Sequence, residues 1–262
     1  MTQNWQDLRA RTLSSVAMVV VGLAAILAGG VWFQMLAVFA TAVMIWELWN
    51  MIAPDRPTVG MLLAAGVAAL LSGIFVADRV LIAAMFLIPP VLGAVALRKE
   101  RITFFVFALL ILLSGWALVE FRNQLGLHWL LWLLGVVVLT DVAGYFAGRT
   151  FGGPKFWGGF SPKKTWSGTS AGWVCAAIFG AAVAVWLNKP IFDLVLVSIL
   201  VSFASQMGDI GESALKRRMN VKDSSTLIPG HGGLFDRFDG VLGATLAMLL
   251  ASQFTALPEI AL

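Results

Sequence analysis

The sequence predicts an all-α integral membrane protein, a polytopic bundle of about nine transmembrane helices. Three observations predict this class: 60% of the residues are hydrophobic, only 12% are charged, and the apolar residues form long uncharged runs. The 26 glycines and 11 tryptophans suit closely packed helices with aromatic side chains at the membrane surfaces. In such a chain the net charge of +4 does not indicate binding of nucleic acid.

Each predicted span is an apolar segment bounded by charged residues or helix breakers. The predicted spans are residues 14–30, 32–52, 59–77, 80–97, 102–121, 127–148, 171–187, 190–210 and 241–257. The first resembles a signal peptide, but a second apolar run follows at once, so we interpret it as a retained span. We predict a single integral membrane domain, 1–262, in which 1–126 is mainly scaffold and 127–262 carries the catalytic motifs.

The lysines and arginines are distributed unevenly between the loops of this arrangement. Only Arg79, Arg122 and Lys189 fall on one side of the membrane, and the other basic residues fall on the opposite side. Cytoplasmic loops carry the excess of Lys and Arg in membrane proteins. The N-terminus is therefore predicted to be cytoplasmic and the C-terminus outside, with the long loops 149–170 and 213–240 in the cytoplasm.

Ionisable residues inside spans are costly, so they point to a function. Asp141 lies near the predicted cytoplasmic end of the sixth span, and Tyr145 shares its helix face. Gly144 and Gly148 form a small-xxx-small pair that lets another helix approach closely. Alternatively, Asp141 has no function in the site and its carboxylate only extends to the polar surface of the membrane.

A polar stripe is predicted where the eighth span leaves the membrane. Its members share one helix face at 3.6 residues per turn. They are Ser205, Asp209, Glu212 and Lys216. The stripe continues into a basic cluster, which is unusual for simple packing against lipid. A helix end with internal ion pairs is the alternative.

Two carboxylates, Asp236 and Asp239, stand three residues apart before the last span. If the last helix starts near Leu234, both lie on one face of its first turn, where negative side chains are favoured. Carboxylates at this spacing can hold a divalent cation such as Mg²⁺ together with substrate phosphates. The His-Gly-Gly sequence at 231–233 offers a flexible backbone that can approach phosphate oxygens.

The stretch SPKKTWSG, residues 161–168, is another candidate for anion binding. It places two lysines and several hydroxyl groups between a glycine-rich loop and the seventh span. Binding of lipid head groups, or a role in topology alone, is the alternative. Glu47 and Glu120 lie near span ends, where we expect them to pair or to reach the interface.

The stretch from 213 to 239 resembles the signature of the phosphatidate cytidylyltransferases, also called CDP-diacylglycerol synthases. The matching residues, in order, are Ser213, Lys216-Arg217, Lys222-Asp223, His231-Gly232-Gly233 and Asp236-Arg237-x-Asp239. TDVAGYFAGRTFG and SPKKTWSG resemble two further blocks of that family. The resemblance covers the C-terminal half, whereas the first four spans are similar only in hydropathy.

The resemblance implies an enzyme that transfers CMP from CTP to phosphatidic acid, giving CDP-diacylglycerol and pyrophosphate for phospholipid biosynthesis. It implies a requirement for Mg²⁺, with a second cation left open, and a site on the cytoplasmic side of the bacterial inner (plasma) membrane. The implied partners are CTP, phosphatidic acid and membrane lipids, with no nucleic acid. A homodimer is left open.

The expected site combines carboxylates that hold metal with basic and hydroxyl groups that hold phosphates. The expected metal ligands are Asp141, Asp209, Asp236 and Asp239. The expected catalytic residues are Lys216, Arg217, Lys222, Asp223, His231 and Arg237. The expected substrate-binding residues are Ser161, Lys163, Lys164, Thr165, Ser213, Gly232, Gly233 and Tyr145.

Other functions fit parts of the sequence. A CTP-dependent lipid-alcohol kinase would share the nucleotide, but the intact block from 231 to 239 favours the cytidylyltransferase. A transporter would also carry intramembrane acids, but the sequence has no inverted repeat and its charges gather on one face of the membrane. The aspartate-rich signature of the CDP-alcohol phosphotransferases is absent from the sequence.

Overall fold

The structure, a computed structural model, describes residues 2–76, 82–159 and 161–254. Its helices are α1 (Thr2–Ala28), α2 (Gly30–Ile52), α3 (Pro57–Val76), α4 (Ile82–Met85), α5 (Ile88–Ala96), α6 (Arg101–Phe151), α7 (Trp166–Trp186), α8 (Ile191–Arg218) and α9 (Phe235–Ala251). Two short antiparallel strands precede α7, namely β1 (Lys155–Trp157) and β2 (Ser161–Thr165). The chain is therefore mainly helical, as predicted, with one small hairpin added.

Six helices are long and apolar enough to cross a membrane, within the described ranges. They are α1 from Arg11 onward, α2, α3, α6, α7 and α8. The 51-residue α6 contains two successive helical stretches, because its backbone breaks at Gly126 with φ 86° and ψ −176°. This break lies between the predicted fifth and sixth spans. A helical membrane protein fits these elements, and the count of nine spans and the sides of the two termini stay predictions.

Three predicted spans differ from the helices of the structure. The predicted span 80–97 contains two helices, because a turn separates α4 from α5, and prolines follow in the first turn of α5. At the other end of the chain, α8 continues to Arg218 and α9 already begins at Phe235. Positions 77, 80, 81 and 255–257 of the predicted spans, and Arg79 in the loop between two of them, lie outside the described residues.

The residue contacts divide the chain into two compact units. The first comprises Met1–Val119 and Met219–Phe238, and the second comprises Glu120–Arg218 and Asp239–Leu262. The segment between α8 and α9 and the first turn of α9 belong to the first unit, and the predicted division after residue 126 stays a prediction. The single-domain assignment stays a prediction.

In the first unit, aromatic side chains pack around α2. The buried rings of Trp49 and Phe104 meet edge to face with their centroids 5.6 Å apart. The Trp49 indole N–H donates to Arg56 O at 2.9 Å. Gly60 on α3 lies so close that a Cβ there would stand 2.7 Å from Trp49 Cδ1. Helix α3 can therefore approach this indole only because residue 60 has no side chain.

In the second unit, glycines allow helices to touch backbone to backbone. Gly168 of α7 packs on the Gly144–Gly148 stretch of α6, and a Cβ on Gly168 would stand 2.5 Å from Gly144 O. The predicted small-residue pair therefore does receive a neighbouring helix. Gly208 of α8 has the same role against α9, since a Cβ there would stand 2.2 Å from Asp239 O.

Replacing Gly208 with alanine is expected to lower the free energy of unfolding by about 1–3 kcal/mol, because a backbone carbonyl cannot retreat from the added methyl group. Gly211, one turn later on α8, is the matched control, since a Cβ there meets no atom within 4 Å. Thermal unfolding in detergent, followed by tryptophan fluorescence, measures both. Equal unfolding temperatures for Gly208→Ala and Gly211→Ala would contradict the assigned contact.

Candidate active site

Three carboxylates of the second unit form one group, which we call the carboxylate cluster. Asp209 and Glu212 lie one turn apart on α8, and Asp239 lies in the first turns of α9. Each offers an oxygen, and these oxygens all lie within 4.8 Å of one another. Glu212 is buried, with 1% of its surface exposed, and the other two are half-buried. Several carboxylate oxygens at this separation fit a hard divalent cation.

Two lysines lie against the carboxylate cluster. Lys164 Nζ is 2.6 Å from Asp209 Oδ2, and Lys216 Nζ is 2.5 Å from Glu212 Oε2. Ser213 Oγ also donates to Asp209 Oδ1 at 3.3 Å. Three residues that the sequence predicted to contact phosphates or substrate are therefore adjacent to the carboxylates. Basic and acidic side chains thus meet beside the last turns of α8.

Asp239 precedes the last predicted span, which begins at residue 241. The pKa of Asp239 is raised from its ordinary value to about 7. The main cause is burial, and the second is repulsion by the nearby Asp209 carboxylate. The backbone N–H of Gly240, which donates to Asp239 Oδ1 at 2.7 Å, acts in the opposite direction. A cation bound by the cluster would relieve the repulsion between these carboxylates.

Of the predicted residues of α6, Asp141 lies near enough to Lys164 and Asp209 for their charges to act on its carboxylate. Asp141 and Tyr145 are both exposed, and Arg149 Nη1 donates to the Tyr145 hydroxyl at 2.7 Å. Within the described residues, Asp141 is not one of the three carboxylates of the cluster. Its expected metal binding and the expected substrate contact of Tyr145 stay predictions.

The hairpin strand β2 carries the expected anion-binding residues Ser161, Lys163, Lys164 and Thr165. Lys163 is exposed, and Ser161 begins the strand. Thr165 is buried as the N-cap of α7, where its Oγ1 accepts from Gly168 N at 3.2 Å. Lys164 is thus the residue of this stretch that contacts the carboxylate cluster, and Thr165 has a structural contact.

In the first unit, the connecting segment, residues 219–234, contains a tight turn. His231 N donates to Ile228 O at 2.9 Å, which closes the turn over Pro229 and Gly230. Gly230 has φ 75°, a conformation that favours glycine. The predicted glycine-rich loop is therefore an ordered turn that places the His231 side chain toward α1.

The His231 ring contacts two serines of α1. Ser14 Oγ lies 3.0 Å from its Nδ1, and Ser15 Oγ lies 2.9 Å from its Nε2. The guanidinium of Arg237 donates to His231 O, at 2.7 Å from Nη2 and 3.0 Å from Nε. Both ring nitrogens and the carbonyl of His231 therefore have partners within the protein. The expected phosphate contacts of His231 and Arg237 stay predictions.

Asp236 is engaged by the connecting segment. Its Oδ2 accepts from Ser224 N at 2.8 Å, from Ser224 Oγ at 2.7 Å and from Gly233 N at 2.8 Å. Gly232 lies beside the same carboxylate, since a Cβ there would stand 2.9 Å from Asp236 Oδ2. Asp236 and Asp239, expected to act as a pair, thus have different neighbours, and a metal ligand role for Asp236 stays a prediction.

The remaining predicted residues lie at the surface. Arg217 is exposed at the end of α8, and Lys222 and Asp223 are exposed in the connecting segment. Exposed basic groups are accessible to a nucleotide from solution, and their roles stay predictions.

Two carboxylates of these sites were not among the predicted site residues. Glu212 was placed on the polar stripe but not among the metal ligands, although its spacing from Asp209 was the signal for a shared face. Glu47 was expected to reach an interface or to pair, and the structure buries it completely. A glutamate inside a predicted span, 32–52, was the signal that the sequence offered.

The cytidylyltransferase family profile matches residues 9–255, so the chain belongs to this enzyme family. A protein of Staphylococcus saprophyticus named phosphatidate cytidylyltransferase is 31% identical over 251 residues, which cover 90% of this chain and 95% of the relative. A protein of the same name from Staphylococcus haemolyticus is 31% identical over 250 residues, with the same coverage. The resemblance seen in the signature residues is thereby confirmed.

The relatives from Brucella match a shorter part of the chain. The protein of Brucella suis biovar 1, also named phosphatidate cytidylyltransferase, is 41% identical over 136 residues. This match covers 52% of the chain and 50% of the relative. The chain thus spans about half the length of the Brucella relatives that it matches.

Removing the charge of Glu212 is expected to lower the affinity of the protein for Mn²⁺, used as a probe for hard divalent cations, by about tenfold or more. Asp193, an exposed acid in the first turn of α8, provides the matched control as Asp193→Asn. The measurement is the electron paramagnetic resonance signal of free Mn²⁺ titrated with detergent-purified protein. Unchanged affinity in Glu212→Gln would exclude Glu212 as a ligand.

Proposed function

We propose that the protein transfers CMP from CTP to phosphatidic acid, giving CDP-diacylglycerol and pyrophosphate. The observation that carries this proposal is the carboxylate cluster with Lys164 and Lys216 against it. Nucleotidyl transfer needs oxygen ligands for a cation beside basic groups for phosphates. The Staphylococcus relatives, aligned over most of their length, bear the name of this activity.

In the proposed reaction, a phosphate oxygen of the lipid attacks the α-phosphorus of CTP. A new P–O bond forms as the bond to the oxygen that bridges the α- and β-phosphates breaks, and pyrophosphate leaves. The lipid phosphate is ionised at neutral pH, so the protein need not remove a proton from the nucleophile. Lys164 and Lys216 bind and neutralise the phosphate oxygens, which lowers the cost of bringing two anions together.

The donor set of the carboxylate cluster fits Mg²⁺, which when bound supplies charge neutralisation at the triphosphate. In this proposal Asp209, Glu212 and Asp239 hold the cation. Asp141 and Asp236 remain candidates for a second cation. Lys164 and Lys216 would lie beside a cation held by these carboxylates and would add positive charge for the phosphate oxygens.

The proposed site faces the cytoplasm of a bacterial inner membrane. The distribution of Lys and Arg between the predicted loops supports this side. CTP is soluble and anionic, whereas phosphatidic acid stays in the lipid phase. A site at the cytoplasmic ends of membrane helices lets the nucleotide arrive from solution and the lipid arrive sideways.

Purified protein supplied with CTP, Mg²⁺ and phosphatidic acid is expected to release pyrophosphate and to form CDP-lipid. Asp239→Asn is expected to lower kcat by about 100-fold or more, because the cluster loses a charged ligand. Asp193→Asn serves again as the control and is expected to keep normal turnover. Normal activity of Asp239→Asn, with unchanged thermal unfolding, would exclude the cluster as the site.

Labelled CTP separates the proposed reaction from that of a lipid-alcohol kinase. Label at the α-phosphate is expected to appear in the lipid, because CMP is transferred. A kinase would transfer label from the γ-phosphate and release CDP. Lipid labelled from the γ-phosphate alone would replace the proposed function with a kinase activity.

A further inference from the structure

Glu47 on α2 is a completely buried acid, with 0% of its surface exposed. A carboxylate inside an apolar helix bundle is costly unless donors meet both of its oxygens. Among the described residues, the donors to Glu47 come from the connecting segment and from the first residue of α9. The burial of Glu47 is therefore coupled to the conformation of that segment.

The Glu47 carboxylate accepts three short hydrogen bonds. Leu234 N donates to its Oε1 at 2.8 Å, and Phe235 N donates to its Oε2 at 2.7 Å. Ser225 Oγ donates to Oε1 at 2.6 Å. Ser224 Oγ also lies 3.4 Å from Oε2, although its single hydrogen is better placed for Asp236 at 2.7 Å. Two backbone groups and a serine thus hold one carboxylate from two sides.

These contacts cap the N-terminus of α9. The first N–H groups of a helix lack partners within the helix, and the positive end of the helix dipole lies there. Glu47 satisfies the N–H groups of Leu234 and Phe235 from a position 188 residues before Phe235. The Glu47 carboxylate thus caps α9 at its first residue, with one oxygen on each of the two N–H groups.

The second glycine of the His-Gly-Gly sequence is required by the same carboxylate. A Cβ on Gly233 would stand 2.4 Å from Glu47 Oε1 and 2.0 Å from Ser224 Oγ. Gly233 N in turn donates to Asp236 Oδ2 at 2.8 Å. The two signature glycines, Gly232 and Gly233, are thus packed directly against the carboxylates of Asp236 and Glu47.

We propose that Glu47 is a positioning residue for nucleotide binding. It holds the connecting segment and the start of α9 in the conformation that the structure shows, and the predicted phosphate contacts Lys222 and Arg237 lie within this held stretch. Glu47 itself is buried and does not touch the substrate. This inference rests on the proposed cytidylyl transfer for its substrate, and on the contacts of Glu47 for its geometry.

Glu47→Gln tests this role with little change in shape. The amide keeps one acceptor oxygen and turns an NH₂ group toward a backbone N–H that it cannot accept from. We expect kcat/KM for CTP to fall about 10- to 100-fold, mainly through KM for CTP, with KM for phosphatidic acid unchanged. Amide hydrogen exchange at Leu234 and Phe235 is expected to become faster.

A double-mutant cycle with Ser225→Ala tests whether Glu47 affects KM for CTP through its hydrogen bond with Ser225. Ser225→Ala is expected to raise KM for CTP in the unmodified protein and to change little more in Glu47→Gln, because the two side chains share one hydrogen bond. Fully additive effects would show that Glu47 does not act through this contact and would overturn the proposal.

Leu48→Ala separates positioning from stability. Leu48 is the neighbouring, fully buried residue of α2, and its truncation weakens packing without removing a donor or acceptor. If Glu47 only stabilises the fold, Glu47→Gln and Leu48→Ala both lower the unfolding temperature. The two variants then have the same KM for CTP and the same amide exchange at Leu234 and Phe235. That result would overturn the proposal.

Amide exchange also distinguishes a failure of this inference from a failure of the proposed function. If the unmodified protein forms no CDP-lipid, the proposed function is wrong. Amide exchange at Leu234 and Phe235 still shows whether Glu47 holds the connecting segment in place. Faster exchange in Glu47→Gln than in Leu48→Ala supports the positioning of the segment. Equal exchange overturns it.

Discussion

A carboxylate can be buried among apolar helices only if donors or cations surround it, and this requirement organises both compact units. In the first unit, Glu47 collects backbone and hydroxyl donors from the connecting segment. In the second unit, Asp209 and Glu212 are met by lysines. In the first arrangement both oxygens of the carboxylate accept hydrogen bonds from the connecting segment and the start of α9. The second leaves a group of oxygens close enough to share an added cation.

Absent side chains are as important to this arrangement as the charged ones. Gly208 lets the backbone of α9 lie directly on α8, which brings the Asp239 carboxylate to Asp209. Gly233 leaves the space that the Glu47 carboxylate occupies. The same residue type therefore has two uses, close helix contact in one unit and access of a carboxylate to backbone N–H groups in the other. Neither use requires an unusual backbone conformation at these two positions.

The parts of the structure that depend on local sequence could be predicted, and the parts that depend on distant contacts could not. The shared face of Asp209 and Glu212 follows from helical spacing alone, whereas the predicted span, which begins at residue 241, does not locate the start of α9 at Phe235. The position of Asp239 in the carboxylate cluster depends on how α8 and α9 cross, which the spacing of residues along the sequence does not reveal. Glu47 is the clearest case, because two of its partners are backbone N–H groups, which carry no residue identity in a sequence. The two strands before α7 have only three and five residues, so their alternation of apolar and polar residues cannot be distinguished from a loop sequence.

The contact between His231 and α1 has a consequence for how this protein is handled. No side chain of α1 between Arg11 and Ala28 is buried, so by hydrophobic packing alone the helix is peripheral. Its two serines nevertheless contact both nitrogens of the His231 ring. Removal of α1 would therefore also remove both side-chain partners of the His231 ring and so alter the connecting segment.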